Sequence, residues 1–298
     1  MNFKVVRYWF EPDPASGGVT VQLDPLLDNL RVRNRLDLAS GRCRGYQRGI
    51  TISANEAVDE VTFSGRFPDG CERYALDRTA LSHNEFVYGL FRTLWRQLGG
   101  RFDGGWRNVQ MPADDLAEAE PFVSFDSLPL NEMIARVNKH SNNVMARQLV
   151  YTLSAEVNGA PGTEECGRDV IAEWLTRNDL ESCKCAIENG AGLSRDTRIA
   201  AADMVSLLRY AWRQPYMPEF LASMSISGLD GTLRRRFKGS PLIGQAHLKS
   251  GSMDHVAAIA GYLQTRSGRR LAIVAMQNHK DVHRGPGEEV QEALLRWL

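Results

Sequence analysis

The stretches His140-Ser-Asn-Asn-Val-Met-Ala146 and His247-Leu-Lys-Ser-Gly-Ser-Met253 decide how this chain of 298 residues is interpreted. The first places the hydroxyl of Ser141 two residues before the side-chain amide of Asn143, at the start of a predicted helix. The second places the ammonium group of Lys249 on a predicted strand, followed by a serine hydroxyl. A site for acyl transfer on peptides needs a proton relay, an amide anchor and a cation for a carboxylate, and these residue types can supply all three.

Each stretch also has a simpler interpretation when it is taken alone. Ser141 is suited to be the N-cap of the helix that contains Leu149, because serine is among the preferred N-cap residues. Lys249-Ser-Gly is no more informative by itself than a chance tripeptide. The small Gly251 would nevertheless let a substrate backbone lie close to the strand, and an extended peptide could pair with it main chain to main chain.

The overall composition restricts the possible classes of protein. Apolar residues make up 43% of the chain, and the 36 basic residues balance the 36 acidic ones. The length suits one large domain or two modest ones. No basic stripe for nucleic acid and no apolar run of about 18 residues for a membrane span is present. The first residues lack the apolar segment of a signal peptide, so we expect any export signal to be removed or to lie upstream.

The cysteines leave two interpretations open. The chain has five of them and no Cys-x-x-Cys pair, which argues against a zinc or thioredoxin-like site. Cys183 and Cys185 would point to opposite faces of a strand, so they are poor partners for each other. Cys43 and Cys71 flank an apparent pair of strands and could be bridged. The fifth cysteine is Cys166. The alternative is that all five cysteines are free thiols in a reducing compartment.

Periodicity predicts β structure at both ends of the chain and helices in between. Alternating apolar and polar residues predict short strands and a small β domain over residues 1–80, with a turn at Phe67-Pro-Asp-Gly70. A capping box of Ser82 and Glu85 begins a helix that ends before Gly99. Further predicted elements are helices at 131–137, 142–156, 164–175, 201–212 and 288–298, a strand at 248–251, and a hairpin of strands at 256–263 and 271–276.

Four ordered segments resemble the low-molecular-mass class C penicillin-binding proteins, which are D-alanyl-D-alanine carboxypeptidases and endopeptidases. Two differences from the family pattern are Asn189 and Ala191, which replace the usual Asp and Ser of a glycine-rich loop. Ser250 stands where Thr is commoner and keeps the hydroxyl. The segments are His140–Ala146, Asn189–Arg195, Gly228–Leu233 and His247–Met253, the last followed by Val256–Tyr262.

The resemblance implies an α+β fold of the β-lactamase/transpeptidase type, in which a helical cluster packs with an antiparallel sheet. Residues 1–80 would be the end of a β-rich domain that the family inserts into its catalytic domain. Residues 81–298 would be the C-terminal part of the catalytic domain. No serine in the sequence is followed by lysine three residues later, although the family's nucleophile lies in Ser-x-x-Lys. We therefore expect that box upstream of Met1 and expect this chain alone to be inactive.

The resemblance also implies a serine acyl-enzyme mechanism on peptidoglycan stem peptides, with β-lactams as further ligands and no metal or organic cofactor. Ser141 would relay a proton and Asn143 would position the substrate amide. Lys249 and Ser250 would bind the terminal carboxylate, while Gly251 and Ser252 would line the substrate strand and the oxyanion hole. Two alternatives remain: a non-catalytic relative that binds peptidoglycan or a partner protein, and a β-lactam hydrolase.

Export to the periplasm, which the resemblance implies for the full-length family member, bears on the cysteines. In an oxidising compartment the pair that brackets adjacent strands is expected to be oxidised. We therefore predict a disulfide between Cys43 and Cys71, with Cα atoms about 4.4–6.8 Å apart. The sequence does not indicate an oligomeric state.

Overall fold

The computed structural model describes residues 4–43, 49–55, 59–109, 119–180 and 185–298. Cys183 lies outside these ranges. The chain forms two compact units, Asn2–Phe122 and Val123–Leu298. The division follows Phe122 and not residue 80, so the first predicted helix belongs to the unit of the preceding strands.

The first unit contains two three-stranded sheets. The strands are β1 (Val6–Asp13), β2 (Gly18–Asp24), β3 (Arg31–Arg42), β4 (Ile50–Asn55), β5 (Glu60–Gly70) and β6 (Tyr74–Arg78). One sheet has the order β2-β1-β6 and the other β3-β5-β4, with β3 parallel to β5. The turn predicted at Phe67–Gly70 is wrong, because β5 continues through it. Phe67 pairs with Leu38 of β3 and is fully buried, so the cost of burying its backbone is met by the ladder.

Apolar residues of both sheets and of one helix share a single core. The buried faces alternate along the strands, as in Val6, Tyr8 and Phe10 of β1, which is why period-two patterning predicted them. Helix α1 (His83–Gln97) begins at the predicted capping box, in which the Ser82 N–H donates to Glu85 Oε2 at 2.8 Å. Phe86 and Leu90 of α1 pack against this core, which explains why the helix belongs to the first unit.

The predicted disulfide between Cys43 and Cys71 is present. Its Cα atoms lie 4.8 Å apart, within the range expected for such bonds. The two cysteines directly follow the ends of β3 and β5, where Arg42 pairs with Gly70. The bond therefore closes the end of a parallel strand pair, which a short hairpin turn cannot join.

The second unit has six helices and a four-stranded antiparallel sheet among its described residues. The helices are α2 (Leu130–His140), α3 (Asn143–Asn158), α4 (Glu164–Arg177), α5 (Ala201–Trp212), α6 (Met217–Ser223) and α7 (Pro286–Trp297). The strands are β7 (Ser225–Ile226), β8 (Ala246–Met253), β9 (Val256–Gln264) and β10 (Arg270–Asn278). The periodic segments and the closing hairpin were predicted correctly, whereas α6 is too short to show a period. Helices beside antiparallel sheets confirm the α+β class.

The pairing of β8 distinguishes it from the other strands of its sheet, whose order is β10-β9-β8-β7. On one side, β9 pairs with β8 over its whole length, from Ala246 to Met253. On the other side, β7 pairs only with His247 and Leu248. From Lys249 onward, the second edge of β8 has no partner strand in the described part of the chain. None of the helices described has both the length and the apolarity to cross a membrane.

Candidate active site

Ser141 lies between two helices in a strained backbone conformation. Its φ and ψ of 51° and 49° are left-handed, and it is the C-cap of α2, not the N-cap of α3 as predicted. Asn142 is the N-cap instead, since its side chain accepts the Met145 N–H at 3.0 Å. Left-handed residues other than glycine are uncommon and collect at functional sites. The tight junction of α2 and α3 releases the Ser141 hydroxyl from capping.

The side chain of Lys249 reaches that hydroxyl. Its Nζ donates to Ser141 Oγ at 2.8 Å and to the carbonyl oxygen of Ser250 at 2.7 Å. Burial lowers the pKa of Lys249 below its ordinary value, because the ammonium ion loses hydration. Two residues far apart in sequence thus form one hydrogen-bonded pair. A lysine with a lowered pKa can share its proton with a neighbouring hydroxyl more readily than an exposed lysine.

The remaining residues of the predicted strand site lie at the open edge of β8. Ser250 is partly buried, while Gly251 and Ser252 are exposed. A Cβ at Gly251 would meet only the Ala258 side chain, at 3.9 Å, so the space above this residue is open. Main-chain groups of this edge are therefore accessible to an extended peptide.

Two apolar clefts of about 520 and 590 Å³ meet at Ser141 and Lys249. Asn143, the first residue of α3, is exposed and lines both clefts. Gly190, Ala191 and Gly192 of the glycine-rich loop also line both clefts. Clefts of this size that carry a few converging polar groups are typical ligand sites. Among the described residues, no group of three or more His, Cys, Asp or Glu side chains is arranged to hold a metal ion.

The turn after β7, which contains Asp230 and Thr232, also contacts the strand of Lys249. Thr232 follows β7, and its Oγ1 lies 2.9 Å from Ser250 Oγ. Asp230 in the same turn accepts a hydrogen bond from Lys139 of α2 at 2.5 Å. The segment Gly228–Leu233 contributed to the family resemblance, but no periodicity or spacing in the sequence indicated that it contacts the strand of Lys249.

Comparison with known proteins agrees with this geometry. Residues 30–298 match the family described as D-Ala-D-Ala carboxypeptidase 3 (S13). A D-alanyl-D-alanine carboxypeptidase of Actinomadura sp. is 32% identical over 278 residues, which cover 87% of this chain and 51% of that protein. The D-alanyl-D-alanine carboxypeptidase DacB of Haemophilus influenzae is 26% identical over 185 residues, which cover 61% of this chain and 38% of that protein. The chain thus spans about half, or less, of the length of these relatives.

The fold is shared with penicillin-binding protein 4 (dacB) of Haemophilus influenzae. Its crystal structure superposes with a TM-score of 0.73 at 17% identity, over 98% of this chain and 66% of the other. A second structure of that protein, in complex with a β-lactam, gives a TM-score of 0.71. At this identity the likeness shows the β-lactamase/transpeptidase-like fold, while the sequence match over residues 30–298 shows the family. The chain belongs to the D-Ala-D-Ala carboxypeptidase 3 (S13) family.

Proposed function

We propose that this chain carries the carboxylate-binding and proton-relaying part of a serine-type D-alanyl-D-alanine carboxypeptidase or endopeptidase that acts on peptidoglycan stem peptides. The observation that supports the proposal most strongly is the 2.8 Å contact of Lys249 Nζ with Ser141 Oγ beside the unpaired edge of β8. The family match and the names of the relatives agree with this chemistry. The β-lactam complex of the structural relative supports β-lactams as ligands.

The proposed substrate lies antiparallel to β8, along the edge from Lys249 to Met253. The terminal carboxylate of the peptide pairs with the Lys249 ammonium and accepts a hydrogen bond from the Ser250 hydroxyl. The Asn143 amide donates to a substrate carbonyl from the other wall of the cleft. Gly251 allows the close approach, and the Ser252 N–H contributes to the oxyanion hole.

The acylated serine is proposed to come from outside these 298 residues, because the sequence has no Ser-x-x-Lys. That serine passes its proton to the lysine base of its own Ser-x-x-Lys box while its oxygen attacks the carbonyl carbon of the penultimate D-alanine, and a tetrahedral oxyanion forms. The intermediate collapses to an acyl-enzyme when the C–N bond breaks. The leaving amine takes a proton from the Ser141 hydroxyl, Lys249 reprotonates Ser141 and regains a proton from the base lysine, and water later hydrolyses the ester.

The proposed location of the complete protein is the periplasm. Its proposed substrate, peptidoglycan, lies outside the cytoplasm, and the Cys43–Cys71 disulfide is of the kind that persists in oxidising compartments.

Reversible binding to this chain tests the carboxylate site. We would titrate an N-acetylated peptide ending in D-Ala-D-Ala, and the same peptide with a C-terminal amide, and follow the binding by NMR. Lys249→Ala should weaken binding of the acid by about 1.5–3 kcal/mol, or roughly 10- to 150-fold. Lys238→Ala, which removes an exposed lysine, is the matched control and should bind as the wild type does. If Lys249→Ala bound the peptide acid with the same affinity as the wild type, the proposal would be contradicted.

Intact-mass spectrometry after incubation with penicillin tests the assignment of roles. The isolated chain should gain no stoichiometric adduct, since a β-lactam ring is opened by a hydroxyl that shares its site with a base. An adduct mapped to Ser141 would show that this residue is a nucleophile and not a relay. An adduct on any other serine would show that the nucleophile lies within the chain.

A further inference from the structure

We propose that Thr232 is a positioning residue that orients the Ser250 hydroxyl toward the substrate carboxylate. The inference rests on the carboxylate site described under the proposed function and adds a residue to it. Its starting observation is that Thr232 Oγ1 and Ser250 Oγ lie 2.9 Å apart, across from the open edge of β8.

The turn that carries Thr232 is fixed by a partly buried ion pair between Lys139 and Asp230. Asp230 Oδ1 accepts the Ile226 N–H at 2.7 Å, while Oδ2 accepts from the Lys139 ammonium, which also donates to the Met224 carbonyl at 3.0 Å. Burial opposes ionisation of Asp230, but its hydrogen bonds to Lys139 and Ile226 outweigh that effect and hold its pKa below the usual value. The turn is thereby tied to both α2 and β7.

Gly231 allows this turn to approach β7 closely. Its φ is +55°, and a Cβ there would lie 2.1 Å from Ser225 Oγ and 2.9 Å from the Lys139 carbonyl oxygen. No side chain fits in that space. The approach lets the Thr232 N–H donate to Ser225 Oγ at 3.2 Å, which fixes the backbone of Thr232 beside β7.

The proposal requires one direction of donation among the hydroxyls, from Thr232 to Ser250, and the proton count permits it. Each hydroxyl has one proton to donate and two lone pairs that accept. Ser225 Oγ lies 3.5 Å from Thr232 Oγ1, so three hydroxyls lie in a row that ends at Ser250. When Thr232 donates to Ser250, the proton of Ser250 is left for the carboxylate. Hydrogen bonds in such chains strengthen one another, so loss of the middle hydroxyl should weaken the last donor.

The first measurement is the χ1 rotamer of Ser250 in the free chain, taken from NMR three-bond couplings. Thr232→Val removes the hydroxyl but keeps the branched shape, and Thr232→Ser keeps the hydroxyl. Ser250 should hold one rotamer in the wild type and in Thr232→Ser, and should average over several in Thr232→Val. A single unchanged rotamer in Thr232→Val would overturn the proposal. Thr232→Ala tests the same hydroxyl if the valine variant fails to fold.

The second measurement is the preference of the chain for the D-Ala-D-Ala acid over its amide. Thr232→Val should weaken binding of the acid roughly three- to tenfold, the effect of one neutral hydrogen bond, and should leave the amide unchanged. Thr232→Ser should restore the preference. A wild-type preference that persists in Thr232→Val would overturn the role of Thr232 alone. A wild-type chain with no preference for the acid would overturn the carboxylate site, and the role of Thr232 with it.

Discussion

The two units use their apolar residues differently. In the first unit, Tyr8, Phe10, Phe63 and Phe67 are each 0% exposed and belong to one cluster. In the second unit the buried residues form two separate clusters around Leu248 and Tyr262. Other apolar side chains line the two clefts that meet at Lys249. The aromatic side chains on the strands of the first unit are used for packing, whereas some apolar side chains of the second unit line open clefts.

Strands β5 and β8 show the same contrast in their hydrogen bonds. β5 is central in its sheet, with β3 on one side and β4 on the other. β8 also lies between two strands, but β7 pairs with only two of its residues. The uncovered edge carries the motif Lys249-Ser-Gly. A short neighbour strand thus leaves part of β8 unpaired, and unpaired N–H and C=O groups can accept an added strand.

The largest effect should follow truncation of Phe63, in the core of the first unit. Its ring packs edge-on against Tyr8 and Phe10, with ring centroids 4.9 and 5.1 Å away. Phe63→Ala should lower the free energy of unfolding by about 3–5 kcal/mol, measured by urea denaturation. Phe122→Ala, at a fully exposed phenylalanine, is the control and should change it by less than about 0.5 kcal/mol. Similar losses of stability for both variants would contradict the role of Phe63 in the core of the first unit.

Loss of the disulfide should have the next largest effect. The bond closes a loop with a sequence separation of 28, for which chain entropy gives a stabilisation of about 3–4 kcal/mol. The double variant Cys43→Ser, Cys71→Ser should therefore unfold at lower urea concentration than the wild type. Binding of a D-Ala-D-Ala peptide should persist at urea concentrations where the chain stays folded. The control is Cys166→Ser, which removes a thiol and no disulfide. An equal loss of stability to urea in Cys166→Ser would show that the effect comes from introducing serine and not from removing the disulfide.

Local pattern was sufficient to predict most helices and strands, because burial on one face imposes a period on the sequence. Long-range pairing was not predictable in this way. The pattern at Phe67-Pro-Asp-Gly70 favours a turn, but pairing with β3 keeps the chain extended. The disulfide was predicted from two facts together. The resemblance implied an oxidising compartment, and the alternating pattern predicted adjacent strands that the two cysteines bracket.

The candidate site was partly predictable for a related reason. Ser141 and Lys249 were both predicted as site residues from their motifs, but their hydrogen bond to each other was not. The N-cap was misassigned because both Ser141 and Asn142 are good capping residues, and only the left-handed backbone at Ser141 decides between them. Thr232 was missed because its contact with Ser250 depends on a turn geometry that Gly231 permits, and a single glycine carries no such signal.

A smaller effect should test the strained backbone at Ser141. A left-handed conformation costs residues with a Cβ about 1–2 kcal/mol, and glycine avoids most of that cost. Ser141→Gly should therefore be more stable to urea than Ser141→Ala by about 1 kcal/mol, although both lose the hydroxyl that Lys249 contacts. The control is Ser206, an exposed residue within α5. There the alanine variant should be more stable than the glycine variant, because alanine has the higher helix propensity. The same order at both positions would mean that Ser141 is not strained.

The smallest effect should appear in the pH dependence of stability. Burial lowers the pKa of Lys249 in the folded chain below its ordinary value of 10.5. Between the folded pKa and 10.5, the unfolded chain binds more protons than the folded one, so this lysine makes stability rise with pH across that window. Lys249→Met lacks the contribution. The free energy of unfolding of the wild type should therefore increase relative to Lys249→Met as pH rises through the window, with Lys238→Met as the control for the lost charge. A difference that stays flat or shrinks with rising pH would show that the ammonium ion is well solvated. Lys249 would then lack the lowered pKa that makes it suited to pass a proton through Ser141.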